Sequence, residues 1–150
     1  MDMKQYGFLP PPRNPDDYIF GGVSKLRGTP LTNGDWTMYL PDKEYQTQRG
    51  FDTNGCTLYG TLNCLEILWN FYKGKRTNWS ERYLAVLAGS TPEGNHPQEV
   101  IEAARKNGLI NDALLPFSSD IDSFEKWASP NPMSDSLLKF GHDFLDENGI

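Results

Sequence analysis

FDTNGCTLYGTLNCLEILWNFY, residues 51–72, joins a turn-forming run to a helix that is apolar almost all the way round. Leu58, Leu62, Leu65, Trp69 and Tyr72 fall at steps of three and four, and Tyr59, Cys64, Ile67, Leu68 and Phe71 fill most of the remaining circumference. Such a pattern predicts a buried central helix over residues 57–73. Asp52, Thr53 and Asn54 are capping residue types placed just ahead of it, and Lys73 followed by Gly74 supplies the charge and the left-handed residue that end helices. Cys56 then lies where unpaired backbone N–H groups and the positive end of the helix dipole converge, a setting that favours thiolate over thiol. Gly55, immediately before it, would let a substrate backbone approach. The alternative for a lone cysteine is a small buried apolar residue, and Cys64 fits that description better than Cys56 does.

Outward from this helix, composition sets bounds. The chain has 150 residues, 37% hydrophobic and 13% aromatic, enough apolar material for one core, and so reads as one domain or one lobe of a larger one. A formal charge of -6 argues against a nucleic-acid partner. No apolar run reaches membrane-spanning length, and MDMKQYGFLPPP lacks a basic-then-apolar signal pattern, so the expected setting is cytoplasmic. If residues 57–73 are helical, eight positions at about 1.5 Å separate Cys56 and Cys64 by roughly 12 Å, beyond disulfide reach. Two reduced thiols fit a reducing compartment. With no cysteine cluster and no histidine pair at ligand spacing, zinc is not expected.

Residues 1–34, with LPPPRNP, the Asn33-Gly34 turn and the apolar cluster at Tyr18–Phe20, read as an extended N-terminal segment, the first 15 residues as a tail. A second apolar cluster follows at Trp36–Leu40. Beyond the central helix, Asn78-Trp79-Ser80-Glu81 is a capping-box-like start with Asn in the capping place, leading to a short helix that closes at Gly89. STPEGN, residues 90–95, is a polar turn. Pro97 occupies the favoured first position of a third helix ending near Gly108. Leu109–Phe117 reads as an extended connection, and two further helices, about 120–128 and 134–147, are split by Pro130 and Pro132. His96, the residue before Pro97, and His142, at helical spacing with Leu138 and Leu145, read as ordinary helix residues rather than as catalytic bases.

The order of these elements resembles the N-terminal, Cys-bearing half of a papain-like cysteine peptidase over roughly residues 35–120. Cys56 matches the family nucleophile, and Glu66 stands ten positions downstream where such enzymes commonly carry a glutamate. Trp79-Ser80-Glu81 resembles the aromatic-Ser-Glu start of the next helix. Gly94-Asn95 with Pro97 resembles the glycine pair and proline of the peptide-binding segment, and Leu115-Pro116-Phe117 resembles the family's Tyr-Pro-Tyr. Asp35-Trp36 followed by YLPDKEYQ resembles the approach to the oxyanion glutamine, which makes Gln46 that residue and Gln48 the spare, although both lie farther from the thiol than in the well-known enzymes. Asn54-Gly55-Cys56-Thr57 departs from the Gly-Ser-Cys-Trp run of the plant and lysosomal members and looks more like a divergent branch encoded by phages and other viruses.

The resemblance implies a mainly α lobe, α+β overall when complete, with residues 35–128 as the Cys-bearing lobe and residues 129–150 as a helix leading towards a second lobe. It implies peptide hydrolysis with Cys56 as nucleophile, Gln46 at the oxyanion, and Asn54, Gly55, Gly94 and Asn95 along an extended peptide or protein substrate. No metal or organic cofactor is needed. The His and the Asn or Asp of such a site would lie past Ile150, in a second lobe or chain, so the isolated chain is expected to be inactive. Host cytoplasm or a virion is the implied location. Two alternatives stand beside it: a non-catalytic papain-like structural or binding protein of a virus particle, and an unrelated acyl-transfer enzyme such as an amidase or transglutaminase.

Overall fold

The computed structural model describes Gly7–Phe8 by their backbone, Leu31, residues 33–48 and residues 50–149. The expectations for the first 15 residues and for the Tyr18–Phe20 cluster therefore fall outside the described residues, Gly7–Phe8 excepted. The chain is mainly helical. Strand β1 (Gly7–Phe8) is followed by a 3-10 turn at Thr37–Tyr39, a hairpin of β2 (Thr47–Gln48) and β3 (Phe51–Asp52), helix α1 (Cys56–Lys73), helix α2 (Glu81–Leu87), strand β4 (Gly94–Asn95), helix α3 (Pro97–Asn107), a 3-10 turn at Asp112–Leu114, a one-turn helix α4 (Phe124–Trp127) and helix α5 (Asp135–Asn148). β2 and β3 pair antiparallel, while β1 pairs parallel with β4, Gly7 opposite Gly94 and Phe8 opposite Asn95.

Helix α1 runs as the residue pattern predicts and ends at Gly74, whose φ of 64° is the left-handed value that costs glycine least. It is less sheathed than its composition suggests. Its buried residues are Thr57, Leu58, Tyr59, Leu62 and Glu66, all in the first eleven positions, whereas Leu68 and Tyr72 are exposed. Cys64, expected in the apolar interior, is exposed as well. The reason is packing: α2 and α3 cover one side of α1 through Tyr83, Leu84, Val100 and Ala103, and Trp36 and Tyr39 cover Phe71 on another, which leaves Cys64, Leu68 and Tyr72 exposed.

Two of the expected boundaries move. The second helix begins at Ser80, not Asn78: Ser80 Oγ accepts from the Tyr83 amide at 3.2 Å, while the Trp79 amide donates to Glu66 and the Asn78 carbonyl accepts from the Asp112 amide. The helix expected over 120–128 contracts to Phe124–Trp127. Helix α5 packs into the same core, Phe144 lying against both Trp69 and Trp79 with ring centroids 5.3 and 5.8 Å away. Its Gly141 meets Asn107, Gly108 and Tyr83 so closely that a Cβ would collide with backbone. Among the described residues no helix is long and apolar enough to cross a membrane.

Candidate active site

The turn before α1 is built from its own side chains. Asp52 Oδ1 accepts from the Asn54 amide at 2.9 Å, and Thr53 Oγ1 accepts from the Gly55 amide at 3.1 Å. These residues, expected as caps, instead form two successive side-chain-to-backbone turns, and the helix cap proper is Gly55, without a side-chain hydrogen bond. Asn54 takes φ 50°, a conformation Asn tolerates better than most residues, and its amide donates to the Pro92 carbonyl at 2.8 Å. The chain thus turns sharply and presents Cys56 as the first residue of an 18-residue helix, half-buried and not in a disulfide.

Gly55 itself is enclosed. A Cβ there would stand 2.9 Å from Thr53 Oγ1 and 3.3 Å from both the Trp127 and Tyr59 rings, so its lack of a side chain serves the packing of its own chain. Gly94 and Asn95 are also buried. The Asn95 amide donates to the Ala88 carbonyl at 3.0 Å and Ser90 Oγ at 2.9 Å, and its backbone carbonyl accepts from Thr57 Oγ1 at 3.2 Å. Asn54, Gly55, Gly94 and Asn95 therefore converge beside Cys56 along one seam with Thr53, Thr57 and Trp127, a seam too tight to admit a water. The strand Gly94–Asn95 already has a backbone partner, β1.

Gln46 lies just before the hairpin. Its carbonyl accepts from the Thr53 amide at 3.1 Å, and its side-chain amide donates to Asp52 Oδ1 at 3.3 Å, so the amide is held by the residue that starts the Cys56 turn. Gln48, on β2, lines a separate chamber with Tyr59 and Glu81. His96 caps α3 in extended conformation, its amide donating to Asn95 Oδ1 at 2.6 Å, and His142 is exposed on α5.

Sequence reasoning missed the acidic centre behind this surface. Glu66 is 2% exposed, its Oε1 accepting from the Trp79 amide at 2.8 Å while Oε2 has no partner. Burial pushes its carboxyl up to about 7. Glu81 is 3% exposed, and burial, a hydrogen bond with the Glu44 side chain and the Glu44 charge push it up to about 10. Burial, then the nearby Glu44 charge, raises Asp112 as well. Burial and then Glu81, Glu44, Asp112 and Asp52 in turn raise the Tyr59 phenol. Glu81 was visible in the sequence only as a helix-start residue and Glu44 only as a neighbour of Gln46. Their meeting depends on the fold bringing residue 44 against α2. Among the described residues no group of three His, Cys, Asp or Glu side chains is disposed to hold a metal ion.

Set against known proteins, the chain matches no family model, no curated protein and no solved structure.

Proposed function

We propose that this chain is the Cys-bearing lobe of a papain-like cysteine peptidase. The observation that carries the reading is the placement of Cys56: first residue of the longest helix, half-buried, at the end of a strained turn, and one residue from Thr57, whose hydroxyl ties the helix to the Gly94–Asn95 strand. A sulfur so placed meets the positive end of the helix dipole. Glu66 supports the reading by accepting the Trp79 amide, which ties α1 to the start of α2, and Ser80 Oγ ties that start to the Leu115-Pro116-Phe117 segment by donating to the Leu115 carbonyl.

In this mechanism the Cys56 thiolate attacks the scissile carbonyl and the carbon–nitrogen bond breaks. The developing oxyanion is met by the Cys56 backbone N–H and the Gln46 amide, which must leave Asp52 to reach it. A histidine from a second lobe, held by an Asn or Asp, protonates the departing amine, and water then hydrolyses the thioester. Asn54 and Gly55 hold the turn that presents Cys56, and Gly94 and Asn95 take extended substrate once β1 leaves their edge.

The second reading, a non-catalytic lobe with a structural or binding role in a virus particle, draws on two observations: the Gln46 amide is bonded to Asp52, and the Gly94–Asn95 edge is paired with β1. Alkylation separates the two. With iodoacetamide at pH 7, the peptidase reading expects Cys56 to react at least about tenfold faster than Cys64 although Cys64 is the more exposed. Equal rates, or a faster Cys64, would defeat it. Partner lobes carrying the histidine should then restore hydrolysis, and Cys56→Ala should abolish it.

A further inference from the structure

Between the hairpin, α1 and the start of α2 lies a chamber of about 180 Å³ lined by Lys43, Glu44, Tyr45, Gln48, Tyr59, Glu81, Asp112 and Phe117. Its charge is one-sided. Glu44, Glu81 and Asp112 all line it, and among the described residues no lysine or arginine, Lys43 included, forms an ion pair with any of the three. Glu81 is almost fully buried, yet its Oε1 receives no hydrogen bond from a donor group; the same is true of Glu44 Oε2. The Glu81 carboxyl faces the Glu44 side chain, and burial beside that acid keeps Glu81 in its protonated form at pH 7. Buried acceptors left without donors are uncommon enough to call for an occupant.

The chamber's shape narrows what that occupant is. It is too small for a drug-sized molecule and its carboxylates are too dispersed for a metal, but it has aromatic walls, Tyr45, Tyr59 and Phe117, beside acids on three separate segments. A planar guanidinium fits this chemistry: its fork donates to two carboxylates at once and its face lies against an aromatic ring. Tyr59 is one helical turn from Cys56, with side chains three residues apart on a helix standing about 5–6 Å from each other at Cβ. Glu44 and Gln48 flank Gln46 on the same strand of chain. We propose that this chamber is a specificity pocket that takes an arginine side chain of the peptide substrate, a role that rests on the reading of Cys56 as nucleophile. Entry of the guanidinium releases the Glu81 proton to solvent, since the cation then supplies donors to the Glu81 carboxylate.

The test is direct binding to the full chain. N-acetyl-arginine N-methylamide, titrated calorimetrically at pH 7 in buffers of different ionisation enthalpy, should bind with proton release. The citrulline analogue, neutral and of the same shape, should bind at least about tenfold more weakly. Glu81→Gln should lose about tenfold in affinity and the proton release with it. Asp112→Asn, on another segment, should weaken binding without abolishing the release, and it keeps the test alive if the first variant is unstable. Equal binding of the citrulline analogue, unchanged affinity in both variants, or calcium binding in its place would overturn the proposal. The two readings fail separately: a fast-reacting Cys56 with no arginine binding removes the pocket alone, whereas arginine binding with a sluggish Cys56 overturns the substrate role and leaves a binding protein.

Discussion

Glu66 is a carboxyl group folded into a place that prefers it neutral. Its ordinary value of 4.5 is raised to about 7, chiefly by burial, so the folded chain binds a proton that the unfolded chain has released between those two values. The sign follows: stability is greatest near and below pH 4.5 as far as this group is concerned, falls as pH rises to about 7, and is flat beyond. Glu81 extends the same decline towards pH 10. Glu66→Gln keeps an acceptor for the Trp79 amide and carries no charge, so urea denaturation should show it more stable than the parent by about 1–2 kcal/mol at pH 8 and no more stable at pH 4.5. A parent chain whose stability rises between pH 5 and pH 7 would contradict this assignment. Arg82 has the opposite character. Its guanidinium donates to the carbonyls of Pro116, Lys126, Trp127 and Ser129 at 2.7–2.9 Å, closing the 116–129 segment over α2. Arg82→Ala strips those four carbonyls of a charged donor and should cost about 3 kcal/mol or more in the same measurement. Neither role was legible in the residues themselves, because a glutamate within a helix and an arginine near the start of one read as solvated charges until the fold buries them.

At the scale of elements, local signals located most boundaries and failed where a distant segment competes for the same backbone groups. Lys73-Gly74 and Pro97 marked helix ends correctly because a left-handed glycine and an N-terminal proline act within one turn. Asn78 was passed over as a cap because its neighbours are already engaged: Trp79 bridges to Asn111, and the Ser80 amide donates to the Ile110 carbonyl at 3.0 Å. The helix expected over 120–128 was cut to one turn because Ile121 folds back to the Ser118 carbonyl, and Arg82 takes the carbonyls of Lys126 and Trp127. In the candidate site, Cys56 at the helix start was legible for the same local reason. The enclosure of Gly55 by Trp127, 72 positions on, was not. Ser80 shows the two kinds of signal in one side chain: its hydroxyl accepts from the Tyr83 amide as a cap and donates to the Leu115 carbonyl at 2.7 Å. Ser80→Ala removes both bonds in a buried place and should cost about 2 kcal/mol, against about 1 for an ordinary exposed cap. Thermal unfolding of this variant beside Ser134→Ala, whose side chain makes no capping bond to α5, gives the comparison.

For the molecule as a whole, the decisive arrangement is the parallel pairing of Gly7–Phe8 with Gly94–Asn95, which joins the start of the chain to the strand packed against Thr57. A two-residue strand adds little stability by itself, since the larger share comes from the core of α1, α2 and α3. Removal of residues 1–8 should therefore leave the helices folded and lower stability by only about 1 kcal/mol. What changes is the edge: Gly94 keeps its own bonds to the Thr91 backbone, but the side of the strand that faced Gly7–Phe8 becomes open to pairing with another extended chain. Hydrogen exchange at the Asn95 amide should quicken by about tenfold or more in the truncated chain, with exchange at Gly94 and in α3 unaltered. A peptide of residues 1–8, MDMKQYGF, added back should restore the protection, and so should an unrelated extended peptide if the edge reads backbone rather than sequence. Exchange at Asn95 that is the same with and without residues 1–8 would mean that the whole strand, and not Gly94 alone, is held by its own loop through Thr91, and that the first residues play no part in shielding the surface beside Cys56.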